Sequence, residues 1–106
     1  MVAKTEFVNR FLSSHKRIHF CTLPTPIEKP FDLQKMMPSI DLFVKRDDVM
    51  ELALGGNKVR KLEFLMADAQ SKGCRVVVTT RHLFSNHAQL TAAAAEEKVI
   101  WFRYLF

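Results

Sequence analysis

A lysine that follows two glycines is the residue of this chain best placed for covalent chemistry. Lys58 ends the stretch Gly55-Gly56-Asn57-Lys58, where an apolar-periodic segment begins. Glycine has no Cβ, so a flat ligand can come close to the backbone of such a turn. A lysine amine attacks a carbonyl carbon when it is desolvated or close to other cations, which Arg60 and Lys61 supply here. The alternative is a helix that begins with a solvated lysine, which is the usual outcome for so short a motif.

A second polar group, Ser85-Asn86-His87, begins another predicted helix directly after a predicted strand. The N-terminus of a helix offers unpaired N–H groups and a partial positive charge, which suit a carboxylate. The alternative is that Ser85 or Asn86 only caps its helix and that His87 is a packed or half-exposed residue. Ligands of open α/β sheets bind beyond the carboxyl ends of strands. We therefore predict that this group and Lys58 lie at one such edge.

Alternating strands and helices are predicted to position these residues. The strongest helix begins at Asn57, its predicted N-cap, and runs to Ser71, with Gly73 ending it. A second, alanine-rich helix runs from Ser85 to Glu97. The apolar stripe of the first helix comprises Val59, Leu62, Leu65, Met66 and Ala69. The predicted strands are Ile40 to Lys45, Arg75 to Thr80, which the valine run makes a buried one, and Val99 to Leu105. This order predicts a parallel α/β layer with right-handed crossovers.

The first half of the chain is predicted to be less regular. We expect a helix from Thr5 to Leu12, extended or turn structure from Leu23 to Pro30, a short helix from Asp32 to Met37 and a loop from Asp47 to Gly56. We divide the chain into an N-terminal extension, residues 1–21, and a partial α/β domain, residues 22–106.

Composition bounds the function. A chain of 106 residues with 48% hydrophobic and 25% charged residues is typical of one globular domain. The net charge of +5 is scattered, with no basic block longer than a pair and no nucleic-acid-reading motif, so we expect no nucleic-acid partner. No apolar run has the length of a membrane span, so we expect no membrane partner.

Cysteine and histidine usage favours a reducing compartment without a metal site. Two cysteines, Cys21 and Cys74, do not suggest a disulfide scaffold. His15, His19 and Cys21 lie close in sequence, but no second cluster completes four ligands, so we expect no metal. We expect a cytoplasmic location. The basic N-terminal segment leaves a mitochondrial one open.

Several stretches, in this order and spacing, resemble the D-cysteine desulfhydrase and 1-aminocyclopropane-1-carboxylate (ACC) deaminase family. The resemblance runs from about Thr22 to about Ala95. The stretches that carry it are Leu23 to Glu28, Leu42 to Asp48, Leu54 to Asp68, Ser85-Asn86-His87 and Thr91 to Ala95. Members are pyridoxal-phosphate (PLP) enzymes with the tryptophan synthase β-subunit fold. The implied fold is therefore α/β, a parallel-sheet three-layer fragment resembling the start of that fold.

The resemblance also implies residue roles. Lys58 would hold the cofactor PLP covalently and then act as general base and acid. Asn86 would bond the cofactor's ring oxygen, and Ser85 would contact the carboxylate of a small amino-acid substrate or assist proton transfer. Ser85, Asn86 and His87 together would bind that substrate. The reaction would convert D-cysteine to pyruvate, sulfide and ammonia, or ACC to 2-oxobutanoate and ammonia.

Two departures from the family motivate an alternative. Arg81 to Phe84 replaces the family's usual Gly-Gly-x-Gln, and family members continue well beyond this length. We therefore expect a truncated N-terminal part of such an enzyme. The apolar segment from Val99 to Phe106 invites pairing with another chain, as in a homodimer. The alternative function is accordingly a catalytically inactive remnant that acts through protein–protein association.

Overall fold

The chain folds into helices and short strands, and the strands form two small sheets. The computed structural model describes residues 2–80, 84–98 and 100–105. Its elements are α1 (Val2–Ser13), β1 (Ile27–Glu28), α2 (Phe31–Met36), β2 (Val44–Lys45), a 3₁₀ helix (Asp47–Val49), α3 (Val59–Ser71), β3 (Val76–Thr80), α4 (Asn86–Glu97) and β4 (Trp101–Leu105). The predicted α/β class is confirmed. Each predicted helix is present, with bounds shifted by up to three residues.

The two sheets differ in direction. Strands β3 and β4 are parallel, from Val76 opposite Trp101 to Thr80 opposite Leu105, and α4 connects them. Strands β1 and β2 pair antiparallel in a separate sheet. The prediction that Ile40 to Lys45 joins the parallel layer was therefore wrong. Only Val44–Lys45 is a strand there, and its pairing groups are taken by the extended segment after Pro26.

Helix α3 begins and ends at turns. The prediction of Asn57 as its N-cap was wrong: Lys58 holds that position, in helical backbone conformation and without a side-chain cap. Asn57 lies instead in a turn closed by the Val59 N–H, which donates to the Gly56 carbonyl (3.2 Å). The predicted stop at Gly73 is confirmed, because its φ of +67° favours glycine and the helix ends at Ser71.

The core lies between α3, α4 and one face of the β3–β4 sheet. Its buried members are Phe20, Met50, Leu52, Val59, Leu62, Met66, Leu90, Ala94 and Ala95. Val77 and Phe102 pack against them from the sheet. Val76 and Val78 point to the other face and are about half exposed, so the prediction of a buried strand from Arg75 to Thr80 was wrong. Helices cover one face of this sheet, and its strands alternate accordingly.

One buried carboxylate corrects the predicted apolar stripe of α3. Leu65 is exposed, whereas Glu63 has no exposed surface. The Glu63 carboxylate accepts hydrogen bonds from the Arg17 guanidinium and from the Phe20 N–H (2.9 Å), and the Glu63 carbonyl accepts one from the Ile18 N–H (3.0 Å). These bonds hold the chain around residues 17–21 against α3.

The two cysteines should differ in reactivity. Burial and the neighbouring Glu63 carboxylate raise the pKa of Cys21 to about 11, whereas Cys74 is exposed. The Cys21 thiol therefore stays protonated near neutral pH, and the thiolate is the reactive form. We expect a thiol reagent at pH 8 to modify Cys74 at least about tenfold faster than Cys21 in the folded chain. Mass spectrometry of a time course would measure both rates. In denaturing urea the rates should converge; equal rates before unfolding would contradict this assignment.

Candidate active site

The turn that carries Lys58 lies against the first residue of α4. Gly56 has a φ of +129°, and a Cβ built on it would lie 2.4 Å from Nδ2 of Asn86. Only glycine therefore lets the Asn86 amide rest on this turn. The contact brings together the beginnings of α3 and α4, as expected for a site shared by Lys58 and Asn86.

Gly55 likewise allows the turn to pack closely, in its case against the preceding loop. Its φ is +76°, and a Cβ would lie 2.3 Å from the Asp48 carbonyl oxygen and 2.8 Å from that of Met50. The Gly55 N–H donates to the Leu52 carbonyl (2.9 Å). The expectation that the glycines leave room for a ligand was thus incomplete, because their Cβ positions face the protein itself. They allow the turn to pack tightly below Lys58.

Lys58 is half-buried on its turn. Within the part of the chain that the structure describes, no ion pair or hydrogen bond holds its ammonium group. Arg60, expected to be a neighbouring cation, forms an ion pair with Asp47 (2.6 Å). Lys61 is exposed. Lys58 therefore carries an amine that the described residues leave unengaged, on the turn that the Asn86 amide contacts.

Ser85 caps α4, as one of the two sequence interpretations predicted. Its Oγ accepts a hydrogen bond from the Ala88 N–H (3.2 Å). Capping uses an acceptor position of the hydroxyl, so the O–H remains able to donate to an anion. Asn86 follows it on the first turn and is exposed. Arg81, His82 and Leu83, which the sequence singled out, lie outside the described residues.

His87 lies on a different side of α4. Its Nδ1 is buried and, among the described atoms, has no hydrogen-bond partner. It borders an apolar cavity of about 130 Å³ whose lining includes Leu62, Met66, Val77 and Thr91. The structure thus groups Asn86 with the Lys58 turn and directs one His87 nitrogen toward the core. The roles of Lys58, Ser85, Asn86 and His87 remain predictions.

A polar cluster beside the turn was missed by the sequence interpretation. Asp47 accepts hydrogen bonds from the Thr25 hydroxyl (2.6 Å) and from Arg60 Nε (2.6 Å) and Nη2 (2.8 Å). These bonds hold the pKa of Asp47 well below its usual range. The available signal was a pair of opposite charges, one at the start of the predicted loop and one in the first turn of the helix that follows it.

Neither a metal site nor a membrane-spanning helix is present among the described residues. No group of three or more His, Cys, Asp or Glu side chains among them could hold a metal ion. No helix in the described ranges is long and apolar enough to cross a membrane.

No family model matches the chain, but a solved structure and curated proteins do. The fold is that of a solved ACC deaminase homologue, with a TM-score of 0.84 and 37% identity, over 90% of this chain and 29% of that one. A Pyrococcus abyssi protein, provisionally named an ACC deaminase, is 44% identical over 90 residues, which is 85% of this chain and 27% of that protein. D-cysteine desulfhydrase of Salmonella typhimurium is 43% identical over 84 residues, 79% of this chain and 25% of the enzyme.

Sequence and fold therefore agree: the chain belongs to the D-cysteine desulfhydrase and ACC deaminase family. It spans about a quarter of the length of the curated relatives that it matches.

Proposed function

We propose that this chain supplies the lysine-bearing part of a PLP-dependent site that acts on a small amino acid. The observation that carries the proposal is the packing of the Asn86 amide on Gly56, two residues from Lys58. An amine on the turn and an amide packed against that turn suit a flat ring that bears an aldehyde next to a hydroxyl group. When bound, PLP withdraws electrons from the substrate Cα and makes a proton at or near that carbon acidic.

The residues of this chain would divide the work. Lys58 Nζ would bond the aldehyde carbon and, once displaced by the substrate amine, would take and return the proton at or near Cα. The Asn86 amide would donate to the ring oxygen and fix the ring's orientation. Ser85 Oγ would donate to the substrate carboxylate at the N-terminus of α4, where the helix favours an anion.

Two substrates fit the family names, D-cysteine and ACC. Both present the same α-amino carboxylate to Lys58 and Ser85. They differ in the bond that breaks afterwards, the Cβ–S bond of D-cysteine or a strained ring bond of ACC. With one water molecule consumed in each reaction, the products would be pyruvate, sulfide and ammonia from the first, and 2-oxobutanoate and ammonia from the second.

Reductive trapping tests this proposal. The chain is mixed with PLP, reduced with borohydride and mapped by mass spectrometry. We expect one adduct, on Lys58, and an absorbance band near ~420 nm before reduction. The Lys58→Ala variant should lose both, and Lys61→Ala, which removes an exposed lysine three residues away, should keep both. Labels scattered over surface lysines, or none, would overturn the proposal.

A second candidate is a catalytically inactive remnant that acts through protein–protein association, for which the outer face of the β3–β4 sheet is the supporting observation. Val76, Val78 and Leu105 are about half exposed there, and Trp101 is 76% exposed. Such a patch is typical of an interaction surface. If the chain forms a homodimer through it, sedimentation should give a dimer that Trp101→Ser dissociates. A wild-type monomer at high concentration would contradict this candidate.

A further inference from the structure

A cluster of Asp47, Arg60 and Thr25 closes the loop that leads to Lys58. We propose that this cluster is a positioning device for Lys58, which fixes the turn so that its amine meets a carbonyl carbon at one place. The expected effect on catalysis rests on the proposed function, whereas the expected effect on the rigidity of the turn does not. None of the three side chains is assigned to the reaction itself. Their effect on the reaction would come from the position that they give Lys58.

The geometry of the cluster is specific. Both oxygens of Asp47 are used by Arg60: Oδ2 accepts from Nε (2.6 Å) and Oδ1 from Nη2 (2.8 Å). The buried Thr25 hydroxyl donates to the same Oδ1 (2.6 Å). A bidentate arginine–carboxylate pair fixes the relative orientation of the two side chains as well as their distance.

The cluster ties together both ends of one loop. Asp47 begins the 3₁₀ helix, and Arg60 lies on the first turn of α3, two residues after Lys58. Between them, Gly55 packs on the backbone carbonyls of Asp48 and Met50. The Lys58 turn therefore packs on the loop that begins at Asp47. Asp47 is in turn bound to Arg60 on α3, the helix that follows the turn. The turn cannot shift along the loop without breaking this pair.

Position rather than stability is the expected contribution. The side chains of Arg60 and Asp47 are 36% and 22% exposed, so solvent weakens their attraction. Where a lysine must approach a carbonyl carbon, however, a displacement of about 1 Å can slow the reaction by up to about 100-fold. A cluster of modest energy can thus have a large effect on rate.

The chain contains a matched control one residue away. Asp48 also forms an ion pair with an arginine, Arg46 (2.9 Å), but its side chain is 62% exposed. This pair is further bonded to Glu28 on β1 and not to α3. Asp47→Asn and Asp48→Asn therefore make the same chemical change, inside and outside the proposed device.

The first experiment tests the mechanical part without any cofactor. Amide hydrogen exchange is measured for Gly55 and Val59, whose N–H groups bond the Leu52 and Gly56 carbonyls. We expect Asp47→Asn to speed their exchange at least about tenfold, at a temperature where circular dichroism matches the wild type. Asp48→Asn should leave both rates unchanged. Equal protection of these amides in the two variants would overturn the proposal.

The second experiment tests the catalytic consequence by following reductive trapping at Lys58 against PLP concentration. We expect Asp47→Asn and Arg60→Gln each to lower the saturating rate about tenfold, with the half-saturating concentration unchanged. The double variant should lose no more than either single one, because the pair acts as a unit. Additive losses, or a change only in half-saturation, would count against positioning. If the wild type takes no PLP at Lys58, the proposed function fails and hydrogen exchange alone decides the positioning role.

Discussion

Replacing Glu63 with alanine should lower the free energy of unfolding by about 3 kcal/mol. The side chain has no exposed surface, and its removal leaves the Phe20 N–H buried without its acceptor and the Arg17 guanidinium without its carboxylate. The melting temperature should fall by roughly 10 to 20 °C, as expected for a domain of this size. Thermal denaturation followed by circular dichroism measures the change.

Asp68 supplies the control on the same helix. It pairs with Lys72 (2.7 Å), but its side chain is 58% exposed, so Asp68→Ala should cost less than about 1 kcal/mol. A loss in Glu63→Ala no larger than that of Asp68→Ala would show that the buried carboxylate contributes little beyond helix propensity. Glu63→Gln should fall between the two, since it keeps an acceptor oxygen for the Phe20 N–H and loses the charge.

Replacing Gly55 with alanine should be about as damaging, for a backbone reason. Alanine at a φ of +76° is strained by roughly 1 to 2 kcal/mol. Its Cβ would also lie 2.3 Å from the Asp48 carbonyl oxygen, which belongs to the backbone and cannot rotate away. Displacing that loop should add about 1 to 3 kcal/mol. Chemical denaturation gives the free energy directly.

Gly73→Ala is the control that separates the backbone strain of a positive φ from the steric clash of the added Cβ. Its φ is +67°, and a Cβ there would meet no atom within 4 Å. Gly73→Ala should therefore lose only the strain, roughly 1 to 2 kcal/mol. If Gly55→Ala and Gly73→Ala lost the same free energy of unfolding, the close packing of Gly55 on the loop would not contribute to stability.

The helices could be predicted from the sequence, and the environment of individual side chains could not. Periodicity indicated α3, but it ranked Leu65 above Glu63 for burial because a carboxylate is rarely buried without partners. Those partners, Arg17 and Phe20, lie more than 40 residues earlier in the chain. Local patterns contain no information about such a contact.

The sheets show the same limit. The alternation from Ile40 to Lys45 indicates extended structure, and two of those residues do form a strand. Whether they join a parallel layer depends on which segment competes for their hydrogen bonds. The Arg46 N–H donates to the Pro26 carbonyl (2.9 Å), so the proline-rich segment is that competitor.

For the site, the resemblance assigned expected roles to Lys58, Ser85 and Asn86, and the structure added the reason that Asn86 lies against the turn that carries Lys58. Gly56 looked like space for a ligand from its sequence position. The space is taken up by the Asn86 amide, which comes from a helix about 30 residues later. The Asp47–Arg60 pair was not recognised because opposite charges at this separation are common and most are unpaired.

The Glu63 carboxylate also implies an order of folding. Its bonds to Arg17 and Phe20 close loops of 46 and 43 residues, whereas β3, α4 and β4 are consecutive and meet through short connections. Long loops are slow to close because chain entropy opposes them. We therefore expect the C-terminal half to become ordered first and the segment around Arg17 to dock last. The part of the chain synthesised earliest would thus wait for its partner helix to emerge.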